Sequence, residues 1–333
     1  LNARRDWLAT LYAEGVHPAS FLPDASLGRV ADVEEPVHGS GVELVEDGEL
    51  RAHPVATAPP PGPVAFLDGI QQWKVVGYDG LAPIAVAYVA AAARRRGSDR
   101  RLRTMHQAAR ELVIAPPDVI SSERRRGIEA AGLDVVLLED VPARQPGLLL
   151  EAIRREVHRA RQAVERAVGE AACADLTAGE WLVVDGQLAV AATLARHPRA
   201  LGVIKSHGAQ FLEGRHLELA LTLPAAHRTS VFRVLGGHGR TVVDSWYLRL
   251  WPWEGKDLHY GLLRIEARAD DETVRDASGV SGWLLGERAP LASRDARTDR
   301  LLYPIHDVET YLRSTAPHDL LASPESRLPR TGT

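Results

Sequence analysis

GPVAFLDGIQQWKVVGYDG, residues 62–80, begins with a buried-looking apolar run, Val64 to Leu67, that stops at the carboxylate of Asp68 and a glycine. It then resumes as an alternating segment through Gly80. An ionised aspartate beside buried apolar residues is costly to desolvate unless hydrogen bonds, a cation or a metal offset the loss. The pattern recurs in WLVVDG, residues 181–186, a second apolar strand ending in Asp-Gly. Two explanations fit such a pair. Each Asp-Gly can start a turn, aspartate accepting backbone N–H groups and glycine supplying positive φ. Alternatively, Asp68 and Asp185 converge on divalent cations, for which oxygen ligands suit Mg2+ or Mn2+.

Around these strand ends the chain reads as α/β. A strand over 64–68 is followed by a hairpin from Lys74 to Ala91 that crosses Gly77 to Pro83 and returns as a meander. IAPPDVISSERRRGIEAAGLDVVLLED contributes an extended piece, a helix and a strand. Leu149, Ile153, Val157, Ala160, Val164 and Val168 recur at spacings of three and four, marking a long helix with one apolar stripe. ALGVIKSHGAQFL, SWYLRLWPW and YGLLRIEA read as further strands, and 305–313 as a helix. Residues 4–16 form a short amphipathic helix, and 33–64 strands or loops with a proline-rich lead-in. The expected organisation is an N-terminal extension over 1–61, a principal unit over 62–313 and a loose tail over 314–333.

With 333 residues, 45% of them hydrophobic, the chain can bury a sizeable core. A net charge of -4 excludes the global basic field of a DNA-coating protein, so nucleic-acid contact would be local. The lone Cys173 excludes an intrachain disulfide and a cysteine-rich zinc site, and suits a reducing cytoplasm. Charges in LNARRDWLATLYAEG interrupt what a signal peptide needs as an apolar core. The longest apolar run, LAPIAVAYVAAAA at 81–93, is too short and alanine-rich to span a bilayer, so a cytoplasmic chain without membrane attachment is expected. No Gly-x-x-x-x-Gly-Lys-Ser/Thr loop is present, so energy for any motor would come from a partner.

A strand with a terminal Asp, a hairpin, a helix carrying Glu and a strand with a second Asp follow the ribonuclease H-like order. There, three carboxylates bind two metals about 4 Å apart, which activate a water and stabilise the leaving oxygen of a phosphodiester. FLDGIQQ, WLVVDGQLA, GVIKSHGAQFL, SWYLRL, YGLLRIEA and RDARTDRLLYPIHDVETYLRS, in order from about residue 62 to 313, together resemble the NurA family of nucleases, especially its bacterial branch. The resemblance implies a ribonuclease H-like mixed sheet flanked by helices, with additional N-terminal and C-terminal strands. It also implies Mn2+-dependent (or Mg2+-dependent) cleavage of DNA, a homodimer, and partnership with a HerA-like hexameric ATPase in DNA end processing or anti-phage defence.

Asp68 and Asp185 match the family's first and second metal carboxylates. Glu151, Glu156 and Glu165 all lie on the long helix. Glu156 flanks the apolar stripe beside Val157, whereas Glu165 stands 20 residues before Asp185 (185 − 165), close to the family's spacing. If the helix runs to about 174, its turns after Glu165 rise about 13 Å, and a five-residue returning strand climbs about as far. Glu165 is therefore preferred, with Glu156 in reserve. Lys205 matches the family's Lys-Ser pair and would offer a point charge to a phosphate, with Ser206 adding a hydrogen bond. His306 lies in YPIHDVE, where some family members place a histidine near the metals; Asp295 and Asp307 compete, and His207 is weaker. This sequence has Arg300 and Leu301 where the family carries Gln-Asn.

Arg264 and Glu266 fit an Arg-x-Glu strand and read as a cross-strand salt bridge. The arginine groups at 94–96, 100–103 and 124–126 could follow a DNA backbone or be solvated helix ends. Trp246, Trp251 and Trp253 could stack unpaired bases or belong to the core. The alternative to a DNA nuclease is a non-catalytic ribonuclease H-like adaptor that docks on an ATPase or on DNA, and RNA is a third possible target.

Overall fold

The computed structural model describes residues 2–21, 41–139, 145–207, 210–236, 239–291 and 298–317. These form an α/β fold around one large mixed sheet with helices on both faces. Its centre is β4 (Val64–Asp79), β5 (Ala82–Arg96) and β6 (Leu102–Ala115), three antiparallel strands in a meander. After α2 (Ser122–Ala130), β7 (Asp134–Leu137) adds to β6 in parallel. The long helix α3 (Pro146–Ala174) then crosses back, and β8 (Trp181–Asp185) pairs with β4 in parallel. A short α4 (Ala192–Arg196) leads to β9 (Ala200–Ile204), parallel to β8. Across these elements the spatial order is β7-β6-β5-β4-β8-β9.

Beyond β9 the sheet continues antiparallel through β13 (Leu262–Arg268), β12 (Val243–Arg249) and β11 (Phe232–Val234), with α5 (Gly214–Leu221) and β10 (His227–Thr229) preceding β11 in the chain. The N-terminal segment joins the same sheet after α1 (Asn2–Ala13): β1 (His17–Phe21) pairs with β4, β2 (Val42–Leu44) with β11, and β3 (Ala52–Pro54) with β10. Additional strands at both ends of the chain thus extend the sheet. Of the tail expected over 314–333, residues 318–333 lie outside the described residues.

Period-2 alternation sorts the sheet into two cores. Ala65 and Leu67 point to one face, where they meet Leu149, Ile153, Val157, Val164 and Val168 of α3. Val64, Phe66 and Ile70 point to the other, against α6 (Asp271–Gly286) and α7 (Tyr303–Thr315), whose Val280, Trp283, Ile305, Val308 and Leu312 are buried there. The stripe expected on α3 is therefore its core face. Helix α6 had no counterpart in the sequence reading; its Asp270 N-cap accepts from Thr273 N at 2.8 Å. It packs close at Gly282, where a Cβ would stand 2.3 Å from the carbonyl oxygen of Ala56.

The strand does not stop at Asp68, and the hairpin does not begin anew at Lys74; β4 runs unbroken from Val64 to Asp79, with Asp68 opposite Ala92 and Gly69 opposite Ala91 on β5. What changes along β4 is its other neighbour. Strand β8 covers Val64–Leu67 and β1 covers Val75–Tyr78, leaving 68–74 of that edge unpaired among the described strands. The break in apolar character at Asp68 marks the end of β8, not the end of β4. Among the described residues, no helix is long and apolar enough to cross a membrane.

Gly202, in the middle of β9, lets the chain after β8 fold back over it: a Cβ there would lie 2.6 Å from the carbonyl oxygen of Gly186. Backbone cannot yield as a flexible side chain can, so Gly202→Ala is expected to lower stability by roughly 1–3 kcal/mol. Urea unfolding reads this directly; an unchanged midpoint would contradict the packing of 186–188 on β9.

Candidate functional site

The register of β4 and β8 sets the site. Leu67 pairs with Val184, and one further step along both parallel strands brings Asp68 beside Asp185. Partners in parallel register point to the same face, on strands about 4.8 Å apart. Asp185 in turn pairs with Val203 of β9, so Lys205, two residues on, shares that face. Its Nζ donates to Asp185 Oδ2 at 2.8 Å.

Glu165 arrives from the other side of the sheet, on α3. A Cβ on Gly69 would lie 2.2 Å from Glu165 Oε1. Glycine follows Asp68 because Glu165 occupies the space a side chain would fill, so the turn explanation fails at this position. It holds at Gly186, whose φ of +136° favours glycine as the chain leaves β8. Glu156 stands nine residues before Glu165, about 13 Å away along the helix, and pairs with Arg159 at 2.5 Å. Of the helical glutamates, Glu165 is the one at Gly69.

Asp68 is 5% exposed, and its Oδ1 accepts from its own neighbour, Gly69 N, at 2.7 Å. Burial holds its pKa well above the ordinary carboxylate value; Asp185, Glu165 and Glu309 add to this by repulsion, and Lys205 opposes it. Glu165 is pushed up to about 7 by burial, despite the pull of Arg161 one turn earlier, with which it is hydrogen-bonded, while Asp185 raises it further.

Glu309 went unrecognised in the sequence. It lies on α7, which packs across β4, and its charge reaches Asp68. A signal was present: Glu309 directly follows Val308 of the buried stripe on α7, as Glu165 directly follows Val164 on α3. Arg313 donates to it at 2.8 Å. His306 is one turn before it, its side chain 38% exposed, with Nδ1 3.9 Å from Glu309 Oε2 and no hydrogen-bond partner. The structure therefore sets His306 beside Glu309 at the flank of the carboxylate group. Asp307 is committed to Arg94 at 2.8 Å, and Asp295 lies outside the described residues. His207 sits with Nε2 3.0 Å from the carbonyl oxygen of Leu262, and burial lowers its pKa to about 3.

Several other candidates turn out to build the fold. Arg264 and Glu266 form a bridge within β13, not across strands, at 2.6 Å. The second oxygen of Glu266 accepts from Leu188 N at 2.7 Å and Ala189 N at 3.1 Å, which anchors the chain just after Asp185. Arg94, Arg95 and Arg96 are paired with Asp307, Glu180 and Glu287, Arg103 with Asp99, and Arg124 with Glu14 and Asp79. Those guanidinium groups are tied into ion pairs.

Among the described residues, the set of three whose ligand atoms all lie within 4.8 Å of one another is Glu46, Asp47 and His53. Glu46 is committed there to Arg228, accepting two bonds of 2.7 Å, and to Val231 N. Asp68, Glu165 and Asp185 stand wider apart, with Glu165 drawn to Arg161 and Asp185 to Lys205. Carboxylates from four elements nonetheless act on one another here, since Asp185, Glu165 and Glu309 each add their repulsion to the buried Asp68.

For an acid whose folded pKa exceeds its unfolded one, stability is full below the unfolded value and is lost as pH rises toward the folded value. Glu165 loses stability in this way between its ordinary 4.5 and about 7. Without divalent metal, Asp68→Asn is expected to be more stable than the wild type at pH 8, by roughly 1–3 kcal/mol, since a neutral amide escapes the desolvation of charge. The advantage should shrink toward pH 4. Thermal unfolding in EDTA measures it, and a variant less stable than wild type at pH 8 would contradict the strained electrostatics described.

No protein-family model matches the sequence, and no curated protein does.

Proposed function

We propose that the chain is a divalent-metal-dependent deoxyribonuclease with a ribonuclease H-like core. The order β6-β5-β4-β8-β9, three antiparallel strands followed by two parallel ones, with α3 as the crossover into β8, supports that reading of the sheet. The observation that carries the function is the placement of Asp68 beside Asp185 by the parallel ladder, with the charges of Glu165 and Glu309 acting on the buried Asp68.

Hard oxygen donors in this number suit Mn2+ or Mg2+ rather than softer metals. The charge of Asp68, which its surroundings leave poorly offset, fits a cation as well. Asp68, Asp185, Glu165 and Glu309 would hold the metal. When bound, two such ions supply an activated water and stabilise the leaving oxygen of a phosphodiester. The remaining chemistry belongs to the side chains. Lys205, now bonded to Asp185, would turn toward a phosphate as a point charge. His306 offers the unpartnered Nδ1 as a proton acceptor at the flank of the site. Gly69 keeps the approach of Glu165 open. Strand separation in double-stranded DNA would fall to a hexameric translocase of the HerA type, acting on a homodimeric nuclease.

The adaptor reading draws on the ion pairs that now occupy Glu165 and Asp185. Cleavage of a labelled single-stranded oligonucleotide in Mn2+ decides between them. Asp68→Asn and Asp185→Asn are each expected to slow it by roughly a hundredfold or more, about 2.7 kcal/mol of barrier at 1.36 kcal/mol per tenfold. Glu309→Gln should slow it by about tenfold. Equal cleavage by wild type and both aspartate variants would remove the nuclease assignment.

A further inference from the structure

The end of the sheet that carries Asp68, Asp185 and Lys205 also carries an aromatic rim with no part in holding metal. Arg249 pairs with Leu262 at the close of the β12–β13 ladder, and Arg264 pairs with Ile204, so the connection 250–261 emerges beside Lys205. Four contacts tie it there. His207 bonds the carbonyl oxygen of Leu262 and stacks on His259, with ring centroids 5.0 Å apart. Arg300 Nη1 donates to the carbonyl oxygen of Lys205 at 3.1 Å. Asp299 accepts from Gly261 N at 2.7 Å.

On the outer side of the connection, Arg288 Nη1 donates to the carbonyl oxygen of Leu250 at 2.9 Å, and its guanidinium lies 4.0 Å over the ring of Trp251. A β-bridge from Arg288 to Leu302 brings Tyr303, the first residue of α7, alongside. Tyr303 is 61% exposed and Leu258 is 41% exposed, while Trp251 and Trp253 are half-buried. Lys256 stands 5.9 Å from the centroid of Tyr260. From Tyr303 to Glu309 is six residues of helix, a rise of about 9 Å. Trp246, by contrast, is fully buried and donates to Ser281 Oγ at 2.9 Å, which makes it a core residue.

We propose that Tyr303 and Trp253, with Lys256 and the Arg288 guanidinium that Trp251 supports, form the track on which an unpaired polynucleotide strand lies as it approaches the carboxylates; this rests on the nuclease reading above. Aromatic faces accept any base, and each stacked base contributes roughly 1–3 kcal/mol. A duplex hides those faces, so the rim selects single strands. Glu254 and Asp257 share the loop with Lys256, so stacking carries more of the affinity here than phosphate charge does. The salt dependence of binding is correspondingly shallow.

The test is fluorescence anisotropy of labelled dT20, rU20 and a 20-base-pair duplex with the full chain in EDTA. Wild type should bind both single strands more tightly than the duplex, and the ratio of dT20 to rU20 affinity tells which sugar is preferred. Tyr303→Ala and Trp251→Ala should each weaken binding by roughly five- to hundredfold, and Tyr303→Trp should restore it. Trp251 also packs on the core, so the exposed Tyr303 is the deciding position. Binding that ignores Tyr303, or that favours duplex, would overturn the proposal. So would a Tyr303→Ala variant that changes only the protein's own sedimentation, which would make the rim an interface between copies. Omitting metal separates the two ideas. A strand that binds through Tyr303 but is never cut in Mn2+ sinks the nuclease and keeps the track, whereas a strand cut without dependence on Tyr303 does the opposite.

Discussion

Burying one carboxylate at the end of a parallel ladder is the constraint around which this protein is arranged. Asp68 is 5% exposed inside a strand that continues for eleven further residues (79 − 68), so the chain cannot turn its charge toward water. The β4–β8 register then adds Asp185 as its neighbour, and α3 and α7 bring Glu165 and Glu309 from opposite faces of the sheet. Burial and the like charges gathered here raise the pKa of Asp68 and of Glu165, and a fold retains such an arrangement only against a cost in stability. Function is the usual reason for accepting that cost.

The support around the group is correspondingly firm. Glu266 is fully buried and holds the backbone after Asp185 by two N–H bonds, while Arg264 satisfies its other oxygen. Gly202 and Gly69 remove the side chains that would keep the returning chain and Glu165 away. Lys205 and Arg161 each pair with one carboxylate, which offsets part of the repulsion in the group. At the same end of the sheet, the connection from β12 to β13 emerges beside Lys205 with its half-buried Trp251 and Trp253.

Much of this was legible in the residues. Two apolar runs each ending in Asp-Gly located the aspartates, and the spacing of three and four along α3 located both the helix and its inner face. The continuation of that helix to Ala174 placed Glu165, not Glu156, at the height of Asp68. What misled was the meaning of a polar residue in a strand. Asp68 looked like a terminus because apolar character ended there, whereas the physical event is that β8 ends and the edge of β4 opens. Gly69 looked like a turn residue because a close approach by a side chain 96 residues later (165 − 69) leaves no local trace. Glu309 was overshadowed by His306, although its position after a buried valine matched that of Glu165. Helix α6 leaves a weak trace in the sequence because Gly279, Gly282 and Gly286 interrupt its pattern, Gly282 being where Ala56 packs against it.

Diffraction from crystals soaked in Mn2+, at a wavelength where manganese scatters anomalously, tests the central claim most directly. Anomalous density between the carboxylates of Asp68 and Asp185, with Glu165 released from Arg161, is the result expected. Density only at Glu46, Asp47 and His53, or an Asp68 left without metal, would contradict it.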